Sequence, residues 1–237
     1  DEYRVFIREQ SVLRVPDGQL VRTFYGALLS AYDQTNGFQL KYGNLVYNLE
    51  THDNFPPNYI AAVNTFALCG HLKKARLMLE HFLSHAVDPC GRIVYRQGDM
   101  QEYGYSGSEV GQILWTCDRF KSVFRPSGWI TEYIETLTAM GEVLIASITS
   151  LPEHEDIQLV HMCAEADTNG RVYDYLQNSL WAIRGFEALS RICEYVGKDG
   201  ARYSGYGRLL LDSVKQVERI YSVNSVYGKL VPFQLQY

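Results

Sequence analysis

The sequence lacks the signatures that usually tie a chain to one chemistry. It has no Cys-x-x-Cys pair, no glycine-rich phosphate loop, no dinucleotide fingerprint and no Gly-x-Ser-x-Gly elbow. Nothing in it therefore points to the nucleotide or serine-nucleophile chemistries that need those patterns. A dense Lys/Arg stripe is absent, and the formal net charge of −5 argues against nucleic acid or an anionic membrane as a partner. No apolar run approaches the roughly 20 residues of a membrane span, and there is no signal-peptide pattern. The first residue is Asp1 rather than Met, as in a processed or trimmed chain or a fragment. No Asn-x-Ser/Thr sequon occurs, which puts the cytoplasm ahead of eukaryotic secretion as the compartment of a soluble protein.

What is present is an ordinary globular composition with an excess of tyrosine. Apolar residues make up 46% of the 237, charged residues 21%, and Tyr occurs 18 times against 10 Phe. That much apolar material builds a core without a disulfide or metal staple. Tyrosine joins an apolar face to a polar tip, which suits a carbohydrate cleft as well as a Tyr-rich core and rim. The five cysteines are scattered. Cys69, Cys117 and Cys193 sit in apolar helical patterns, whereas Cys90 and Cys163 fall in loops where a pairing stays open.

The periodicity is helical. Residues 18–34 read as a helix stopped at Asn36-Gly37, a C-cap signal; residues 38–50 stay open between strands and a short helix. From Pro56 a unit recurs. An apolar helix (PNYIAAVNTFALC) ends at Gly70, and an amphipathic one (HLKKARLMLEHFLSHAV) follows at once. So short a junction makes them antiparallel neighbours. A second unit pairs SEVGQILWTCDRFKSVF, with Ser108 as its N-cap, and WITEYIETLTAMGEVLIASI across the turn Arg125-Pro126-Ser127-Gly128. A third pairs YDYLQNSLWAIRGFEALSRICEYV and ARYSGYGRLLLDSVKQVERIYSV across Gly197-Lys198-Asp199-Gly200. Residues 224–237 read as extended and irregular.

Turns at one end of these hairpins are short; loops at the other run to about 20 residues, a length that usually carries function. The first helix of each pair is apolar nearly all round and the second is amphipathic, which describes inner and outer layers. The expectation is an all-α fold: one domain over residues 1–237, built of repeated antiparallel helical hairpins forming an α/α toroid or part of one.

Three segments carry a resemblance to a known family. They are THDNFPPNYIAAVNTFALCGHLKKARLMLEHFL with the following DPCGRIVY, then GSEVGQILW, then LPEHED with YDYLQNSLWAIRGFEALSRICEYVG. Over about residues 50–222 the chain resembles the six-hairpin glycosidase superfamily, the (α/α)6 toroids that include glucoamylases and trehalases. The resemblance implies a glycoside hydrolase whose site lies where the inner helices begin. Two departures stand out. The family's Arg-Asp pair is His52-Asp53 here. Where glucoamylase-like members carry a general-acid Glu, this chain has Gln177-Asn178, and an amide cannot deliver a proton. Three clear hairpins are present where a full toroid needs six.

Hydrolysis with inversion needs two carboxyl groups about 6.5–9.5 Å apart. The acids at inner-helix starts are Asp53, Glu109 and Asp174, with Asp99, Glu102, Glu153, Asp156, Glu165 and Asp167 in the preceding loops. Helix dipoles alone also select acids there. Asp174 and Glu153 are the candidate catalytic acids. His52, Asp53, Asn54, Tyr105, Glu109, Tyr175, Asn178, Trp181 and Arg184 are the candidate sugar contacts, Asp53 by its match to the family's substrate-binding Asp. Trp181 reads as core first and stacking platform second. Arg184, inside an apolar helix, calls for a buried partner such as Glu109 or Asp174. His81 and His85 have chelating i, i+4 spacing but no third ligand in register, so no metal or other cofactor is expected.

The reading is thus a carbohydrate-active protein, a glycoside hydrolase or part of one. The alternatives are a non-catalytic glycan- or protein-binding module and a polysaccharide lyase using His52, Tyr105 and Arg184. The expected partner is a carbohydrate, not nucleic acid or membrane. A second copy or another chain is expected to cover an exposed inner layer.

Overall fold

The computed structural model of the chain describes residues 2–8, 13–40, 54–94, 106–164 and 172–235. After the short α1 (Glu2–Arg8) comes α2 (Gly18–Asp33), opened by Asp17, whose carboxylate accepts the amides of Gln19 and Leu20 at 2.7 and 3.1 Å. Asn36-Gly37 does not cap α2. The chain turns there, with Gly37 at φ 63°, into a small hairpin of β1 (Thr35–Asn36) and β2 (Gln39–Leu40).

Three helical hairpins follow as the periodicity predicts. They are α3 (Pro56–Leu68) with α4 (Leu72–His85), α5 (Gly107–Phe120) with α6 (Ile134–Ala146) through a 3-10 turn at Trp129–Tyr133, and α7 (Leu176–Tyr195) with α8 (Ala201–Tyr221). Pro56 and Pro57 start α3, where their missing N–H groups cost nothing. The tight junctions are of one kind. After α3 the amides of Gly70 and His71 return to the carbonyls of Ala67 and Phe66, and after α7 those of Gly197 and Lys198 return to Glu194 and Cys193. Both glycines have positive φ, 94° and 77°, as this cap requires.

The expectation of an all-α fold is corrected by the sheets. A hairpin of β3 (Ile148–Leu151) and β4 (His154–Val160), a three-stranded sheet in the order β5 (Met162–Cys163), β6 (Val172–Tyr175), β9 (Gln234–Leu235), and a hairpin of β7 (Val223–Ser225) and β8 (Gly228–Leu230) make the fold mixed, helical with small antiparallel sheets. The reason is visible in the segment expected to be a loop. Ile157 and Leu159 are buried while Asp156 faces out and Gln158 is half-buried, a period of two that only a strand satisfies. Leu151, Ile157 and Leu159 form a small second core with Val217 of α8 and Leu235 of β9. The main core runs through the helices. No helix among the described residues is long and apolar enough to cross a membrane, and no two of the five cysteines form a disulfide, Cys90 being exposed and Cys163 buried.

At the centre α5 and α7 run parallel, joined near their starts by Ser108 and Asn178 and near their ends by Asp118 and Arg191. Their backbones touch. A Cβ on Gly111 would lie 2.2 Å from the Trp181 carbonyl oxygen, and one on Gly185 would lie 2.8 Å from the Gly111 Cα. Asn64 of α3 donates to Thr116 of α5 at 3.1 Å, and Arg202 of α8 grips Glu142 of α6 with two bonds of 2.8 and 2.9 Å.

Tyr59 pins α3 to both neighbours. Its buried hydroxyl lies 2.6 Å from the carbonyls of Phe38 and of Met78 in α4, and burial pushes its ionisation well above the ordinary tyrosine range. Tyr59→Phe leaves both carbonyls without that donor. The expected cost is about 1.5 kcal/mol, read in a circular-dichroism melt as a Tm lower by roughly 3–6 °C.

Candidate functional site

The parallel pairing of α5 and α7 brings two helix N-termini to one place, and β5 and β6 line it. Ser106, just before α5, forms a parallel bridge with Cys163. Its hydroxyl meets that of Ser108 at 2.7 Å and donates to the Ala164 carbonyl at 3.0 Å. Ser106, not Ser108, occupies the N-cap position.

Asn178 clamps this mouth. It is fully buried, its Oδ1 accepts the Ser108 amide at 3.0 Å, and its Nδ2 donates to the carbonyls of Cys163 and Met162 at 2.8 and 3.3 Å. Gln177 likewise donates to Ala164 at 2.8 Å. The side-chain amides of Gln177 and Asn178 are thus both engaged with the backbone, and Asn178 acts as a structural clamp. Asn178→Ala strands the Ser108 amide and loosens β5. The expected cost is about 2 kcal/mol, checked by urea unfolding with an unchanged m-value.

Two carboxylates lie in the mouth. Glu109, in the first turn of α5, is 1% exposed, and Asp174, the last residue but one of β6, is 4% exposed. The pairing of Met162 with Tyr173 sets His161 opposite Asp174. His161 Nδ1 lies 3.1 Å from Asp174 Oδ1, and 42% of the His161 side chain is exposed. A buried acid thereby orients a rim imidazole. This pair is missed when residues 150–172 are read as a loop; the signal that finds it is the alternation of β4 continued across the β5–β6 register.

The remaining candidates separate. Glu153 sits exposed in the turn between β3 and β4, whereas Asp174 lies beside the other end of β4. Seven residues of strand hold them roughly 20 Å apart, too far to act as a pair on one bond. Arg184 is not buried. Its side chain is 66% exposed and pairs with Glu187 at 3.2 Å, because it projects from a side of α7 that no described residue covers. Asn54 holds β2 to α3, its side chain accepting the Leu40 amide and its own amide reaching the Leu40 carbonyl, both at 2.8 Å. Tyr175 is buried between the rings of Tyr173 and Phe233, with centroids 5.9 and 5.5 Å away; those two neighbours are the exposed aromatics. Trp181 is half-buried and meets Trp115 edge-on at 6.1 Å. With Leu180 and Arg184 the two tryptophans line an open cleft of about 490 Å³. His52, Asp53 and Tyr105 lie outside the described residues, as do Asp99, Glu102, Glu165 and Asp167.

Among the described residues no group of three His, Cys, Asp or Glu side chains is placed to hold a metal. His81 and His85 stack on α4 with centroids 4.3 Å apart; burial first, and the neighbouring His85 second, lower the His81 pKa.

Fold and mouth together define a class: a layered helical-hairpin protein with a strand-lined polar site where two parallel helices begin. No protein-family model, curated protein or solved structure matches the chain.

Proposed function

We propose that the chain is a carbohydrate-active protein, a glycoside hydrolase or part of one, working through carboxylates at the common mouth of α5 and α7. The observation that carries this reading is the burial of Glu109 and Asp174 at the starts of two parallel helices in backbone contact. Packed helices lie about 8–10 Å apart, so Glu109 in the first turn of α5 and Asp174 in the strand that leads into α7 stand on the scale of the carboxyl separation that inverting hydrolysis uses. In such a reaction one group protonates the glycosidic oxygen and the other draws a proton from the attacking water. His161, hydrogen-bonded to Asp174, adds a second proton-carrying group at the rim. The Trp115–Trp181 cleft lies about 10 Å along α7 from the mouth. It offers the apolar ring faces on which sugars stack, with the Arg184 guanidinium beside them.

The test is product release from a panel of α- and β-linked oligosaccharides by the whole chain, with Glu109→Gln alongside. Hydrolysis by the native chain that falls in the folded variant supports the reading; turnover unaffected by Glu109→Gln removes Glu109 from the chemistry. The second reading, a non-catalytic glycan-binding module, is favoured by Gln177 and Asn178, whose amides serve the backbone. Saturable oligosaccharide binding without turnover, weakened by Trp181→Ala, selects it.

A further inference from the structure

Another cleft lies away from this mouth, between α1, the β1–β2 turn and the α3–α4 junction. It has a volume of about 510 Å³, within the range of small-molecule sites. Its walls are flat rings. Phe6 stacks on His71 with centroids 3.9 Å apart and planes 5° apart, and lies 4.2 Å from Tyr32. Phe38 and Val5 stand at the rim with much of their surface exposed. Its charge is of one sign: Lys73 and Lys74 line it, and no Asp or Glu is among its described lining residues, in a chain whose net charge is −5. The Lys74 ammonium is held in place, donating to Thr35 Oγ1 at 2.8 Å and lying 4.6 Å above the Tyr32 ring.

A ring-lined cleft with two lysines ranks two ligand classes lower. A small hydrated anion gains nothing from the aromatic walls, and a neutral ring meets the cations only through its π face, without the stronger charge-assisted bond an anionic group makes. We infer that this cleft is a binding site for a small planar anion, an aryl or heteroaryl group carrying a carboxylate or phosphate, whose ring lies against Phe38 and Tyr32 and whose charge meets Lys73 and Lys74. This goes beyond the carbohydrate reading and does not depend on it.

The experiment is calorimetric titration of the full chain with three probes: 2-naphthoate, the neutral 2-naphthalenemethanol, and acetate. Saturable one-to-one binding of naphthoate is expected, at least tenfold tighter than the alcohol, with none of acetate. Lys73→Gln, at an exposed position that does not threaten folding, is expected to weaken naphthoate several-fold. Phe38→Ala should weaken it about tenfold, while Arg208→Gln, on α8, leaves it unchanged. No saturable naphthoate binding, equal affinity for the alcohol, or an affinity untouched by both Lys73→Gln and Phe38→Ala each overturns the inference.

Discussion

Asp174→Asn is expected, under the proposed hydrolysis, to lower turnover by about 10²–10⁴-fold, the usual worth of a positioned proton-transfer group. The substitution is isosteric, so the side chain keeps its volume in a site where only 6% of it is exposed, and an amide oxygen still faces His161 Nδ1. What is lost is the ability to hold and release a proton and a negative charge beside the imidazole. The measurement is kcat from product release, with a melt to show that the variant stays folded. His161→Ala, at the rim, should cost less. Full activity in Asp174→Asn would take Asp174 out of the chemistry and leave it as a support for His161.

Gly111→Ala is expected to be strongly destabilising, because it puts a methyl where α5 and α7 touch. The new Cβ meets the Trp181 carbonyl oxygen at 2.2 Å and its carbon at 2.5 Å, both backbone atoms that no rotamer change can move. The helices must separate, and separation strains the Ser108–Asn178 and Asp118–Arg191 contacts at the two ends. Overpacking of this kind costs about 3 kcal/mol or more, a Tm lower by roughly 6–12 °C in a chain of this size. Gly205→Ala is the control. It lies mid-helix in α8 with nothing within 4 Å of the added carbon, and removing the conformational freedom of glycine there should raise stability by about 0.5–1 kcal/mol. If both variants melt like the native chain, the helix contact is not as close as described.

Much of this architecture is legible in the sequence because helices announce themselves over long windows. The helix read over 18–34 is observed as Gly18–Asp33, and the pair after Pro56 as Pro56–Leu68 and Leu72–His85. The strands are not announced that way. β5 and β9 have two residues each and pair across distant segments, so no local pattern marks them, and β4 alternates over too few positions to outweigh its loop-like Pro-Glu-His start. The site divides along the same line. Glu109 and Asp174 are found because they stand at or just before the starts of long helices; His161 is missed because its partnership depends on strand register. For Arg184 the apolar pattern of its helix predicts burial on every side, whereas Leu180 and Arg184 both face outward.

The parallel, glycine-mediated contact also dictates an order of assembly. The α3–α4 and α7–α8 hairpins close over a residue or a few, but the bonds joining α5 to α7 link positions 70 and 73 residues apart. Loop closure over that distance must be completed before the contact rewards it. During synthesis α5 therefore emerges well ahead of its partner, with the side that carries Gly111 bare until α7 has followed. The interface that builds the mouth cannot form until α7 has been made, and a chain interrupted before residue 176 never forms it.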